Sequence, residues 1–173
     1  MTVILGIDPG SRITGYGLIK EENRKIQYLD SGCIRTSEGE LSQRLLQIFD
    51  GICQLMDEYS PDEVAIEQVF IHQNPSSALK LGHARGVAMV AAASHRIMVN
   101  EYSPREIKQS VVGYGAAQKE QVKHMVVSLL MLNSPPQSDA ADALAIAICH
   151  SHMRHGLAAL QQLGKPGLRR RRR

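Results

Sequence analysis

The 173-residue chain is 43% hydrophobic and 21% charged, which suits one domain with a substantial core and excludes a disordered polypeptide. No apolar run is long enough to span a bilayer, and the start, Met1 to Gly6, lacks the positive flank and length of a secretion signal, so a cytoplasmic protein is expected. The net charge of +3 is uneven: Lys165 and Arg169 to Arg173 crowd residues 165–173, leaving a mildly acidic body with a basic tail.

Val3-Ile4-Leu5-Gly6-Ile7 reads as a buried first strand, stopped by Pro9-Gly10. Residues 13–20 and 26–35 read as two further strands, and the polar link Glu21 to Lys25 suits a hairpin turn. From Leu41 the apolar period changes to three and four (Leu45, Ile48, Phe49, Ile52, Leu55, Met56), which predicts an amphipathic helix closed by Ser60-Pro61. Glu63 to Glu67 is a fourth strand. A linker from Phe70 to Pro75 leads to a helix over 76–95. Ile97-Met98-Val99 begins a fifth strand that ends near Tyr102. Pro104 to Ser110 is a short helix with Ser103 as its N-cap, and 111–117 is a loop. Helices follow over Lys119 to Met131 and Ser138 to His155, separated by Asn133-Ser134-Pro135-Pro136-Gln137.

This order predicts an α/β fold, a mixed, hairpin-led five-stranded sheet flanked by helices. Residues 1–155 form the domain, and 156–173 form a basic, disordered tail. That tail reads equally as a solubilising segment or as a phosphate-steering arm. The three cysteines, Cys33, Cys53 and Cys149, are scattered and give neither a disulfide framework nor a zinc signature. His150, His152 and His155 crowd the end of the last predicted helix, where cations suit the dipole, and they are not expected to hold a metal.

Four carboxylates stand out. Asp8 and Glu67 each end an apolar strand, where an acid is costly unless it is paired or metal-bound. Asp139 and Asp142 lie three apart in the first turn of the last helix and share a face. That helix is so rich in alanine that it must pack closely on the sheet, bringing its first turn to the strand ends. Singly, Asp139 also reads as a helix N-terminal acid and Asp8 as a turn residue. Together, and without basic partners, the four predict a divalent-cation site. Hard oxygen donors select Mg²⁺, with Mn²⁺ able to substitute, and two ions at such a site suit phosphodiester cleavage.

At this point the sequence resembles the RuvC family of Holliday-junction resolvases. The similarity rests on Ile4-Leu5-Gly6-Ile7-Asp8-Pro9-Gly10-Ser11-Arg12, Ser31-Gly32-Cys33-Ile34-Arg35-Thr36 and Ile66-Glu67-Gln68-Val69-Phe70. It continues in Ser77-Ala78-Leu79-Lys80-Leu81-Gly82, Val111-Val112-Gly113 and Asp139-Ala140-Ala141-Asp142-Ala143-Leu144-Ala145. It spans roughly residues 1–155 and implies an RNase H-like fold. It also implies an endonuclease that nicks two opposed strands of a four-way DNA junction, leaving 5′-phosphate and 3′-hydroxyl ends. Asp8, Glu67, Asp139 and Asp142 would be the catalytic, metal-binding acids. Phe70, Lys108 and Lys119 would face the DNA, and the protein would work with branch-migration proteins of the RuvA and RuvB families. Asp8-x-Gly10 with Gly15 and Gly17 also resembles the phosphate loop of actin-like and sugar-kinase ATPases, but that reading needs a second, similar half that this chain lacks.

Paired cutting of a two-fold substrate calls for a two-fold dimer. The helix over 76–95 is apolar nearly all round. Ala78, Leu79, Gly82, Gly86, Val90 and Ala93 lie on one side, with Ala84, Val87, Ala88 and Ala91 around the rest. One side must face the sheet. The other meets a second copy of the chain or a further helix of the same chain, and the expectation is a homodimer.

Overall fold

The computed structural model describes the backbone of residues 1–69 and 75–163, and the side chains of 1–69 and 76–155. Strands β1 (Thr2–Asp8), β2 (Ile13–Glu22) and β3 (Lys25–Arg35) come first, followed by helix α1 (Leu41–Tyr59). Then come β4 (Glu63–Glu67), α2 (Pro75–Ser94), β5 (Val99–Tyr102), α3 (Pro104–Val112), α4 (Lys119–Leu129) and α5 (Ser138–Leu163). The strand order is β3-β2-β1-β4-β5. The three leading strands are antiparallel, while β1 with β4 and β4 with β5 are parallel. The expected mixed sheet is therefore present, and the β2–β3 turn is made by Asn23 and Arg24 in left-handed backbone (φ 52 and 64), as tight hairpins require.

The side chains of each strand alternate between two cores. Leu5, Ile7, Leu18, Val64 and Ile66 pack beneath α1 and α2, against Ile48, Ile52, Ala84 and Ala88. Ile4, Ile19 and Ala65 pack on the opposite face with α3, α4 and α5. Because the period is two, Gly6 and Asp8 share the α5 face with Ile4, and Glu63 and Glu67 share it with Ala65.

α5 lies unusually close to that face. A Cβ at Gly6 would fall 2.2 Å from the carbonyl oxygen of Ala143, and one at Gly15 would fall 2.1 Å from that of Asp139. Gly15 and Gly17, which suggested a phosphate loop in the sequence, are in fact strand residues lying under this helix. Farther along, α5 is tied to the sheet by polar contacts. His150 bonds Glu63 and Tyr102, and Ser151, Arg154 and His155 converge on Glu21. Burial holds the His150 imidazole below its ordinary range, against the pull of Glu63. Burial alone would raise the Glu21 carboxyl, but the hydrogen bonds from Ser151 and His155 outweigh it and the net direction is down.

Of the boundaries that differ from expectation, three have a clear physical reason. α3 runs through Val112, because Val111 is buried and Gly113, with φ +98, supplies the left-handed cap. β5 starts at Val99, with Met98 exposed. α5 continues past His155 to Leu163, through the good helix formers Leu157-Ala158-Ala159-Leu160. The three histidines therefore lie within the helix, not at its end, and two of them answer carboxylates of the sheet. The Ser103 cap holds as expected: its hydroxyl accepts from the Glu106 backbone N–H at 3.3 Å, and the Glu106 carboxylate accepts from Ser103 N–H at 2.8 Å.

Candidate active site

β1 and β4 are adjacent and parallel, and Ile7 pairs with Ile66. The next residue on each strand is an acid, so Asp8 and Glu67 leave the sheet side by side. Beyond Asp8 the chain turns at Pro9-Gly10, where the buried Thr14 hydroxyl donates to the Gly10 carbonyl at 2.8 Å. Across the sheet, Asp8 pairs with Gly15, the residue that admits the backbone of Asp139. Asp139 and Asp142 open α5 and complete the set.

The electrostatics record this convergence. The Asp8 carboxyl is pushed from its ordinary 3.8 up to about 8, first by burial and then by the charges of Glu67, Asp142 and Asp139, with Lys119 opposing. Glu67 is pushed to about 7 by burial and by Asp142, opposed by Lys119 and Lys108. Asp142 is also raised by burial, against a hydrogen bond from Lys119. Carboxyls that resist ionisation because they are buried, and because other carboxylates lie beside them, form a site short of positive charge.

The premise that these acids lack a basic partner needs correction. Lys119 Nζ donates to Asp142 Oδ2 as an ion pair. Lys108 and Lys119 line a cavity of about 260 Å³ together with Glu67, Asp142, Pro104 and Ile107. Both lysines, expected near DNA from the resemblance alone, therefore border the carboxylates. A sequence signal for the Lys119 pair existed. It is the first residue of α4, where a cation opposes the helix dipole and so needs an external partner. Phe70 lies outside the described residues.

The donor set fits a divalent cation in charge and chemistry: hard carboxylate oxygens, partly buried, held partly protonated without one. Among the described residues no three acid, histidine or cysteine side chains stand close enough together to enclose an ion, and Asp142 is turned to Lys119.

The sequence profile described as "Crossover junction endodeoxyribonuclease RuvC" matches residues 4–150. The chain belongs to the RuvC family. A RuvC from Legionella pneumophila (strain Lens) is 76% identical over 173 residues, covering 99% of this chain and 98% of that one. The structure of T. thermophilus RuvC in complex with a Holliday junction substrate is 33% identical, with a TM-score of 0.84, covering 90% of this chain and 96% of that one. The yeast mitochondrial Holliday junction resolvase, at 14% identity, shares the fold with a TM-score of 0.65 over 92% of this chain and 83% of its own. The RNase H-like architecture expected from the resemblance is thus the architecture of RuvC.

Proposed function

We infer that the protein is a crossover junction endodeoxyribonuclease that resolves four-way DNA junctions during recombination and repair, with Asp8, Glu67, Asp139 and Asp142 as its metal-binding catalytic acids. The observation that supports this reading is that Glu67, Asp142 and Asp139 all act on the buried Asp8 carboxyl where β1, β4 and the first turn of α5 converge, in a chain whose match to the RuvC family spans residues 4–150. A divalent cation, with Mg²⁺ proposed and two ions per site, would activate a water and stabilise the leaving oxygen. Asp8, buried and acted on by the other three acids, would be one of the residues that hold the metal. Lys108 and Lys119 would face the phosphates beside the acids, and Phe70 is proposed as an aromatic for unpaired bases. The decisive assay is incubation with a synthetic four-way junction, with and without Mg²⁺. Symmetric nicks only with the metal are expected, and no cutting under any divalent cation would overturn the reading.

The proposal extends to a homodimer through α2, acting in the cytoplasm with proteins of the RuvA and RuvB families. Ala84, Ala88, Ala91 and Ala92 turn inward beneath the sheet, and α1 covers one flank. The alternative, a helix of the same chain over the outer side, accounts for that flank alone. Leu79 remains 63% exposed, Val90 59% and Leu46 58%. Leu46 and Val90 line a groove of about 520 Å³ together with Leu45, Phe49 and Val87. Such a group of exposed apolar side chains supports an interface there. Gly82 and Gly86 have nothing within 4 Å of a built Cβ, so a second helix could approach there without displacing this chain. Sedimentation at micromolar concentration is expected to give a dimer for the wild type and a folded monomer for Gly86→Leu. A monomeric wild type with full paired cutting would sink the dimer.

A further inference from the structure

We propose that a cleft lined by Arg12, Arg35 and Arg44 grips one backbone phosphate of the strand being cut, within about two nucleotides of the scissile bond. The proposal rests on the nuclease reading and adds a contact site outside the acid cluster and its two lysines. The cleft, about 520 Å³, is completed by Thr36, Ser37 and Gly39, with Glu38 as the one acid in its wall among the described residues.

Its position follows from topology. Arg12 precedes the first residue of β2, after the short turn that leaves Asp8. Arg35 ends β3, where Ile13 pairs with it, and Arg44 lies in the first turn of α1. In the sheet order, this cleft stands on the β3–β2 side of the acids, while Lys108 and Lys119 stand on the other side, on α3 and α4. The acids of β1 and β4 lie between two cationic flanks. A polyanion crossing the sheet edge would meet arginines, then the carboxylates with their cations, then lysines. Strand spacing puts β2 and β3 about 5 and 10 Å from β1, which sets the distance from the cut.

The side chains are arranged for this ligand. Among the described residues none of the three guanidiniums pairs with a carboxylate. Three like charges left in one cleft repel until an anion enters. Two of them are already oriented. Arg44 donates through Nε and Nη2 to the Ser11 carbonyl, at 3.1 and 2.5 Å, on the turn that follows Asp8. Arg35 Nη2 donates to Gln137 Oε1 at 2.8 Å, immediately before the turn that carries Asp139. The Arg12 side chain, exposed, makes no hydrogen bond or ion pair among the described residues. Each guanidinium keeps free N–H groups in a fork that matches phosphate oxygens. Among the described residues the wall contains no aromatic ring for stacking a base, so the cleft holds backbone and does not read sequence. Arg35 and Arg44 touch the two segments that present Asp8 and Asp139, so a gripped phosphate would also register the strand on the acids.

The test is binding of the full-length protein to a labelled four-way junction in EDTA, across a salt series, for the wild type, Arg12→Gln and Arg12→Gln/Arg35→Gln. The double variant is expected to bind roughly tenfold more weakly and to lose about 1 to 2 from the slope of log K against log salt. Junctions carrying one uncharged methylphosphonate linkage, stepped along the strand on either side of the cut, locate the contact. At one linkage within two nucleotides, the substitution is expected to weaken the wild type about tenfold and the double variant less than twofold. Since Arg12 is exposed and unbonded, Arg12→Gln should melt with the wild type, and it alone should give part of the slope change. A wild type that binds and cuts the junction beside variants of unchanged slope would overturn the cleft and leave the nuclease reading standing. So would methylphosphonate losses that multiply with the variant at every linkage. A wild type that neither binds nor cuts the junction overturns the nuclease reading, and this proposal with it.

Discussion

Asp139→Asn is expected to bind four-way junctions within about threefold of the wild type and to cut them at least about a thousandfold more slowly. Asparagine keeps the shape of the side chain, so the backbone contact between Asp139 and Gly15 is preserved. The fold loses only an acid at the start of α5, worth about 0.3–1 kcal/mol with the helix dipole. The site loses a full negative charge from the set that would hold the metal. A gel shift in EDTA and single-turnover cleavage in Mg²⁺ separate the two effects. Near wild-type cutting would remove Asp139 from the catalytic set. Binding and cutting lost together would mark it as a structural residue of α5.

The second large effect is on stability, and its sign is counterintuitive: Asp8→Asn should make the metal-free protein more stable. The Asp8 carboxyl has an ordinary pKa of 3.8 and is pushed to about 8 in the fold. Below the unfolded value both states are protonated and Asp8 costs nothing. As pH rises from about 4 to about 8, the unfolded chain has released a proton that the folded state retains, so stability falls across that window. Glu67, pushed to about 7, acts in the same direction, and the acids titrate as a coupled set. At about 1.4 kcal/mol per unit, the total at pH 8 is several kcal/mol. Asparagine removes the charge, so in EDTA at pH 8 the variant should melt roughly 5 °C or more above the wild type. The gap should shrink at pH 5. Mg²⁺ should raise the wild-type midpoint much more than that of the variant. Equal midpoints at pH 8 without metal, flat from pH 5, would mean that burial and the neighbouring acids do not hold Asp8 protonated as described.

Much of this was legible in the chain because it is written locally. The apolar run ending in Asp8, the Val-Ala-Ile before Glu67 and the alanine-rich helix behind Asp139 each announce an element and its face. The closeness of α5 to the sheet followed from that alanine content, although the glycines that make it possible read differently in the sequence. What was hidden depends on pairs far apart in the chain. Lys119 meets Asp142 only because α4 folds against α5. Arg12, Arg35 and Arg44 look like ordinary surface charges until β2, β3 and α1 bring them to one cleft. The end of α5 lies beyond the expected His155 because Leu157-Ala158-Ala159-Leu160 carry the helix on, while His150 and His155 bond Glu63 and Glu21 on the sheet. Phe70, expected from the resemblance to face the DNA, lies outside the described residues and stays a proposal tested by cutting and binding of its alanine variant.

The backbone seam between α5 and β1–β2 has one more consequence. At Gly6, Gly15 and Gly17 the helix meets the strands main chain to main chain, with no side-chain volume in between to swell, shrink or change rotamer. The spacing between Asp139 and Asp8 is therefore a ruler of fixed length, indifferent to how the opposite face beneath α1 and α2 is filled. That face can gain a partner subunit, lose a methylene or soften with temperature while the reacting geometry keeps its dimensions. The proposed assembly face and the acids are thereby insulated from each other by the thickness of a single sheet.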